Sequence, residues 1–264
     1  MGWLGKIIGG TVGFFLGGPM GMIAGAVFGH FIDKTSDLDS SETGGFSFGM
    51  GGPYFLNTGY DRTQMVFFVG AFSMLAKLST ADGPLNERAK SKINEFIVYD
   101  LNLRGQGYQY AVNIFNQALN NESITFESLA DQFAQNFRSS SNILQLMMDI
   151  FFRIAMADGT MSKEEERLID YAARVFGIPS YILESLRKKY GVGTGLEKSY
   201  ATLGLSSNAS EAEIKKAYRK LIMEFHPDAV AARGMAEEFK DYATKKFRET
   251  QEAYETICKE RNIK

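Results

Sequence analysis

The chain has 264 residues, and its 29 Lys and Arg against 31 Asp and Glu give a formal charge of -2. That balance argues against a nucleic-acid partner, which shows as a strong basic excess, and the length supports one or two domains with a real core. The only cysteine, Cys258, excludes an internal disulfide and any Cys-x-x-Cys metal pair, so a reducing compartment is the natural home.

From Ile7 to Ile32 there is no Asp, Glu, Lys or Arg across 26 residues. A helix of that length, at about 1.5 Å per residue, exceeds a ~30 Å hydrocarbon core. The stretch behind the flank 1–6 therefore reads as one transmembrane helix over 7–32, although its many glycines and Pro19 weaken the signal. Gly9, Gly13, Gly17, Gly21, Gly25 and Gly29 fall every fourth residue and form one smooth ridge. In lipid such a ridge favours close helix approach, which suggests a homodimer through this helix. Two alternatives stay open: a glycine-rich soluble or surface-lying segment, and a cleaved signal peptide ending near Ala24-Gly25-Ala26. Lys6 on one side and Lys34 on the other leave the orientation undecided by charge. Residues 33–63, rich in Gly and Ser, read as a flexible linker.

Residues 64–190 carry only helical patterns: Gln64 to Thr80, Asn86 to Leu101, Gly107 to Leu119, Ser123 to Phe137, Asn142 to Met156, Ser162 to Phe176 and Pro179 to Tyr190. Within them lies an internal repeat, in which Ala81-Asp82-Gly83-Pro84-Leu85-Asn86 aligns with Ala157-Asp158-Gly159-Thr160-Met161-Ser162. Gly83 and Gly159 read as helix-ending residues at positive φ, and Asn86 and Ser162 as N-caps. A metal reading also exists, because Asp82, Glu87, Asp158 and Glu164 supply hard oxygen ligands of the kind calcium takes. Neither turn has the serial acidic ladder of an EF-hand loop, so the site prediction is no metal and no cofactor.

After a linker at 191–197, residues 198–264 form a second unit. Ser210-Glu211-Ala212-Glu213 is a capping box that opens a helix running to about Phe225. Ile214, Tyr218, Leu221, Ile222 and Phe225 share one arc of it, while Lys215, Lys216, Arg219 and Lys220 form an adjoining cationic ridge. Pro227 ends the helix and pushes His226 into a loop. Phe239, Ala243, Phe247, Thr250, Tyr254 and Ile257 give a second long helix a matching stripe. The result is a helical hairpin with His226, Pro227 and Asp228 at its tip, and an all-α chain.

The run Tyr200 to Leu205, the segment Ile214 to Leu221, the tripeptide His226-Pro227-Asp228 and the segment Lys246 to Tyr254 together resemble a J-domain, the module by which DnaJ-type co-chaperones act on DnaK-type heat-shock ATPases. Two departures stand out: Ala229 follows the tripeptide where many J-domains have lysine, and the loop through Arg233-Gly234 is long. The central repeat is similar to the TerB-like helical domain. An apolar anchor, a TerB-like domain and a C-terminal J-domain in that order resemble the bacterial membrane-anchored DnaJ-like co-chaperones.

That resemblance implies a protein that is not itself an enzyme and that activates a partner ATPase. The docking residues it implies are His226, Pro227, Asp228, Lys215, Lys216, Arg219 and Lys220. An ATP-using partner puts the C-terminal domains in the cytoplasm, behind a single-pass anchor in the inner membrane. The rival reading is a membrane scaffold or stress-sensing adaptor that acts mainly through the TerB-like domain.

Overall fold

The computed structural model describes residues 17–27, 62–85, 87–157, 159–191 and 194–263, and every regular element among them is helical. Helix α1 covers residues 17–27 and α2 covers Arg62–Leu78. Phe67, Phe68, Phe72, Met74 and Leu75 of α2 are fully buried. A helix that is apolar all round belongs at the centre of a bundle, and α2 is that helix here. Helices α4 (Gly105–Asn120), α5 (Phe126–Phe137) and α6 (Ser141–Ala155) pack around it.

Between α2 and α4 the pattern predicts one helix, Asn86 to Leu101. The structure has α3 at Glu87–Glu95 and then a π turn over Phe96–Asp100, closed by the Leu101 N–H donating to the Phe96 carbonyl at 3.0 Å. Phe96, Ile97 and Asp100 are the buried residues of this wider turn. Helix α5 also starts later than the predicted Ser123. Thr125 forms a reciprocal cap with Ser128, while the Ser123 N–H and hydroxyl both donate to Asn121 Oδ1.

Helix α7 (Lys163–Val175) begins at the predicted Ser162 cap, which forms a reciprocal box with Glu165, and α8 is Ser180–Tyr190. Gly83 and Gly159 have φ of +136° and +88°, the positive values their turns require. Asn86 and Asp158 lie outside the described residues.

Helix α9 (Gly195–Thr202) starts inside the predicted 191–197 linker, because Thr194 and Glu197 form another reciprocal cap. Helix α10 (Glu211–Glu224) follows its predicted Ser210 box, α11 is the short Pro227–Ala231, and α12 is Lys240–Arg261 after a 3-10 turn at Glu237–Phe239. The predicted stripes meet: Tyr218 and Tyr254 stack with ring centroids 4.0 Å apart.

The hairpin is nevertheless not self-contained. Its far end has a small core of its own, with Tyr200, Leu203, Ile214, Ala253 and Ile257. Its near end, from Phe225 through Val230, Met235, Phe239 and Tyr242, joins the core of the central helices.

The predicted 7–32 span is only partly within the described residues, and no described helix is long and apolar enough to cross a membrane. Helix α1 is broken near its start: Gly18 adopts φ +62° directly before Pro19. Proline disfavours helix in the residue before it, and glycine accepts the left-handed alternative at little cost. Of the glycine ridge, Gly17, Gly21 and Gly25 are described, whereas Gly9, Gly13, Gly29 and the linker to residue 61 lie outside.

Candidate functional site

Each member of the tripeptide has a local reason for its position. His226 is the N-cap of α11, and its Nδ1 accepts the Asp228 backbone N–H at 3.3 Å. Pro227 occupies the first helical position, where a missing N–H costs nothing. The predicted loop at His226 is thus a cap followed by one helical turn. With Nδ1 engaged as acceptor, the ring proton is assigned to Nε2, which is left as a donor. The imidazole stands edge-on to Phe247 of α12, 5.6 Å between ring centroids. The His226 and Asp228 side chains remain 51% and 85% exposed.

The cationic ridge is on the surface of α10. Lys216, Arg219 and Lys220 are exposed and Lys215 is half-buried. Lys215 pairs with Glu211 at 2.6 Å, Arg219 Nε donates to the Lys215 carbonyl at 3.2 Å, and Lys220 lies 3.8 Å from Glu224. Spacings of four hold each side chain over the preceding turn, so the charges stand in a row leading toward the tripeptide.

What fixes the site to the rest of the molecule is buried and ionic. Asp149 of α6 accepts from Tyr242 at 2.7 Å, from Lys189 at 3.1 Å and from Lys246. Lys189 also donates to Glu249 at 2.7 Å, so two carboxylates face two ammonium groups. Burial opposes ionisation of Asp149, but Lys189 and Lys246 overcome it and hold the carboxyl well below its usual range. Burial dominates at Lys246 instead and lowers its ammonium to about 8, against the pull of Asp149. Beside this cluster Asp100 accepts from Arg153 Nε at 2.6 Å and from Lys245 at 2.7 Å. Asn142 of α6, fully buried, donates to the Glu224 carbonyl at 3.1 Å, satisfying the end of α10 next to His226.

Sequence reasoning missed these residues. Asp149 had a signal, being the lone charge in the apolar run Leu146 to Phe152. Lys246 had none, because a lysine on an amphipathic helix reads as surface.

The two repeat turns line one crevice of about 260 Å³, with Asp82, Arg88, Lys92, Thr160 and Glu165 around it. Of the acids in the metal reading, Glu87 pairs with Lys90 at 2.6 Å and Glu164 with Arg167 at 2.9 Å. Among the described residues no three His, Cys, Asp or Glu gather in metal-binding geometry.

Three family models match the chain: a co-chaperone DjlA transmembrane domain over residues 1–45, a tellurite resistance protein TerB domain over 69–188, and a DnaJ domain over 198–264. Co-chaperone protein DjlA of Photobacterium profundum is 30% identical, with 98% of this chain and 99% of that protein covered. The proteins of the same name from Coxiella burnetii and Escherichia coli are 28% and 26% identical, each covered over 100% of both chains. No solved structure matches.

Proposed function

Since the chain belongs to the DjlA family of co-chaperones, we propose that it is a membrane-anchored J-domain protein that stimulates ATP hydrolysis by a DnaK-type heat-shock chaperone. The observation that carries this reading is the contrast at the tip of the hairpin. Val230, Met235 and Phe239 are buried in the central core, while His226, Asp228, Lys216, Arg219 and Lys220 are left exposed. A surface built only for packing has no need to hold charges in that order.

In this reading the chain is not itself an enzyme. Lys215, Lys216, Arg219 and Lys220 meet an acidic face of the partner, Asp228 pairs with a basic group there, and His226 with Pro227 fixes the backbone between them. Exposed charges accelerate encounter and add little affinity, which suits a transient complex that salt weakens. Residues 7–32 form the single inner-membrane span, 33–63 the linker, 64–190 the TerB-like domain and 198–264 the J-domain, with both domains in the cytoplasm where ATP is. The glycine ridge adds self-association of the span.

The test is ATP turnover by a bacterial DnaK-type chaperone with the full chain in lipid vesicles, beside its His226→Gln variant. Stimulation by the parent alone supports the reading. Equal turnover with and without the chain, with its fold intact, removes it and favours an adaptor acting through the TerB-like domain.

A further inference from the structure

Helix α1 lies within the stretch matched by the transmembrane-domain family model, yet it is seated on the central domain. Met20, Ile23, Ala24 and Val27 are 1% to 8% exposed. The surface beneath them is shaped for a helix. Gly70 of α2 has no side chain, and a Cβ there would lie 2.7 Å from Phe133 Cδ2 and 2.9 Å from Met20 Cε. A larger residue would press on Phe133 and on the end of the Met20 side chain, where α1 meets the groove between α2 and α5.

The polar contacts fall where the helix is broken. Beside the left-handed Gly18 and Pro19 lie the Gly17 carbonyl and the Met20 N–H. Gln132 of α5 takes both: its Oε1 accepts from the Met20 N–H at 2.8 Å and its Nε2 donates to the Gly17 carbonyl. On the next turn Asn121 Nδ2 meets Met22 Sδ at 2.8 Å. A bilayer core offers no such partners, and each unsatisfied backbone group there costs several kcal/mol. The groove thus satisfies the same segment that lipid would take, and satisfies the break that lipid would not.

We propose that the groove between α2 and α5 is a receptor for residues 17–27, and that groove and bilayer compete for this segment. The chain then has a docked form and an inserted form. Residues 28 to 61 connect α1 to α2, and at roughly 3.3 Å per residue 34 residues reach about 110 Å, enough for either form. The inserted form rests on the membrane reading above; the docked form does not.

The full chain carrying Met22→Cys, Asn121→Cys and Cys258→Ser tests this with a bismaleimide crosslinker, first lipid-free and then in phosphatidylcholine vesicles. Efficient intramolecular crosslinking without lipid and a drop of about tenfold in carbonate-resistant vesicles are expected. Gly70→Leu should lower the lipid-free yield by about tenfold through overpacking. Gln132→Ala, at a half-buried site that spares the core, should lower it by about threefold to tenfold while vesicle insertion is kept. No crosslink without lipid, or an equal yield in chain that resists carbonate, overturns the proposal. A chain that crosslinks in solution but never sediments with vesicles overturns the competition and the anchor reading, and leaves the groove contact in place.

Discussion

Phe239, the last residue before α12, stands edge-on to Phe67 of α2 with ring centroids 4.8 Å apart, and both rings are fully buried. It also contacts Phe68, Phe72 and Phe96, so one side chain from the loop behind the tripeptide closes the aromatic core of the central helices. Phe239→Ala should cost about 3–5 kcal/mol, the loss for a fully buried aromatic. Because the core is shared, urea unfolding followed in both halves of the chain should show one common shift. A shift confined to the C-terminal half would contradict a shared core.

Asp149 is the second link. Asp149→Ala leaves Lys189 and Lys246 buried without their common carboxylate and should cost about 3–5 kcal/mol. Adding Lys246→Met should recover a large part of that loss, since it removes one uncompensated charge. The pH dependence has a defined sign: the folded carboxyl lies below its unfolded value, so its stabilisation is present above the ordinary carboxylate range and lost as pH falls through the folded value. Acid unfolding of parent and variant reads this, and a double variant no more stable than Asp149→Ala would refute the assignment.

Glu238 lies in the 3-10 turn beside Phe239, and its Oε2 is buried with no hydrogen-bond partner among the described residues. Burial raises its carboxyl to about 7 from 4.5. The sign is opposite to that of Asp149. The folded state favours the protonated acid, so the stabilisation is full below pH 4.5 and is lost as pH rises through about 7. The difference corresponds to roughly 3 kcal/mol. Glu238→Gln should therefore raise the urea midpoint at pH 8 and change it little at pH 4. An equal effect at both pH values would show that the charge is not the cause.

The ridge and the tripeptide separate charge from stability. Arg219→Glu with Lys220→Glu, on exposed positions, should leave stability within about 0.5 kcal/mol. The same pair should reduce ATPase stimulation at low salt by about tenfold, with the gap narrowing as salt rises. Asp228→Asn should abolish most stimulation at every salt concentration. Full stimulation by Asp228→Asn would remove the proposed charge pairing.

Local features of this chain were legible because local chemistry decides them. Ser162 and Ser210 cap the helices their side chains announce, Gly83 and Gly159 take positive φ at the repeat turns, and the Tyr218 and Tyr254 stripes meet. The tripeptide and ridge were readable as residue types at fixed spacing. The π turn at Phe96 was not, since an extra residue in one turn leaves the apolar pattern nearly unchanged while rotating the residues beyond it.

The sequence by itself determined the helical make-up of the described residues, the repeat, the caps and the exposed tip, because these depend on residues within a few positions of one another. Only the tertiary structure decided that the near end of the hairpin shares a core with the central helices, that Lys246 is buried on Asp149, and that Gln132 answers the break at Gly18. Those contacts join residues about a hundred positions apart. Whether a lysine faces water or a carboxylate, and whether an apolar segment meets lipid or protein, depends on which surface is opposite it.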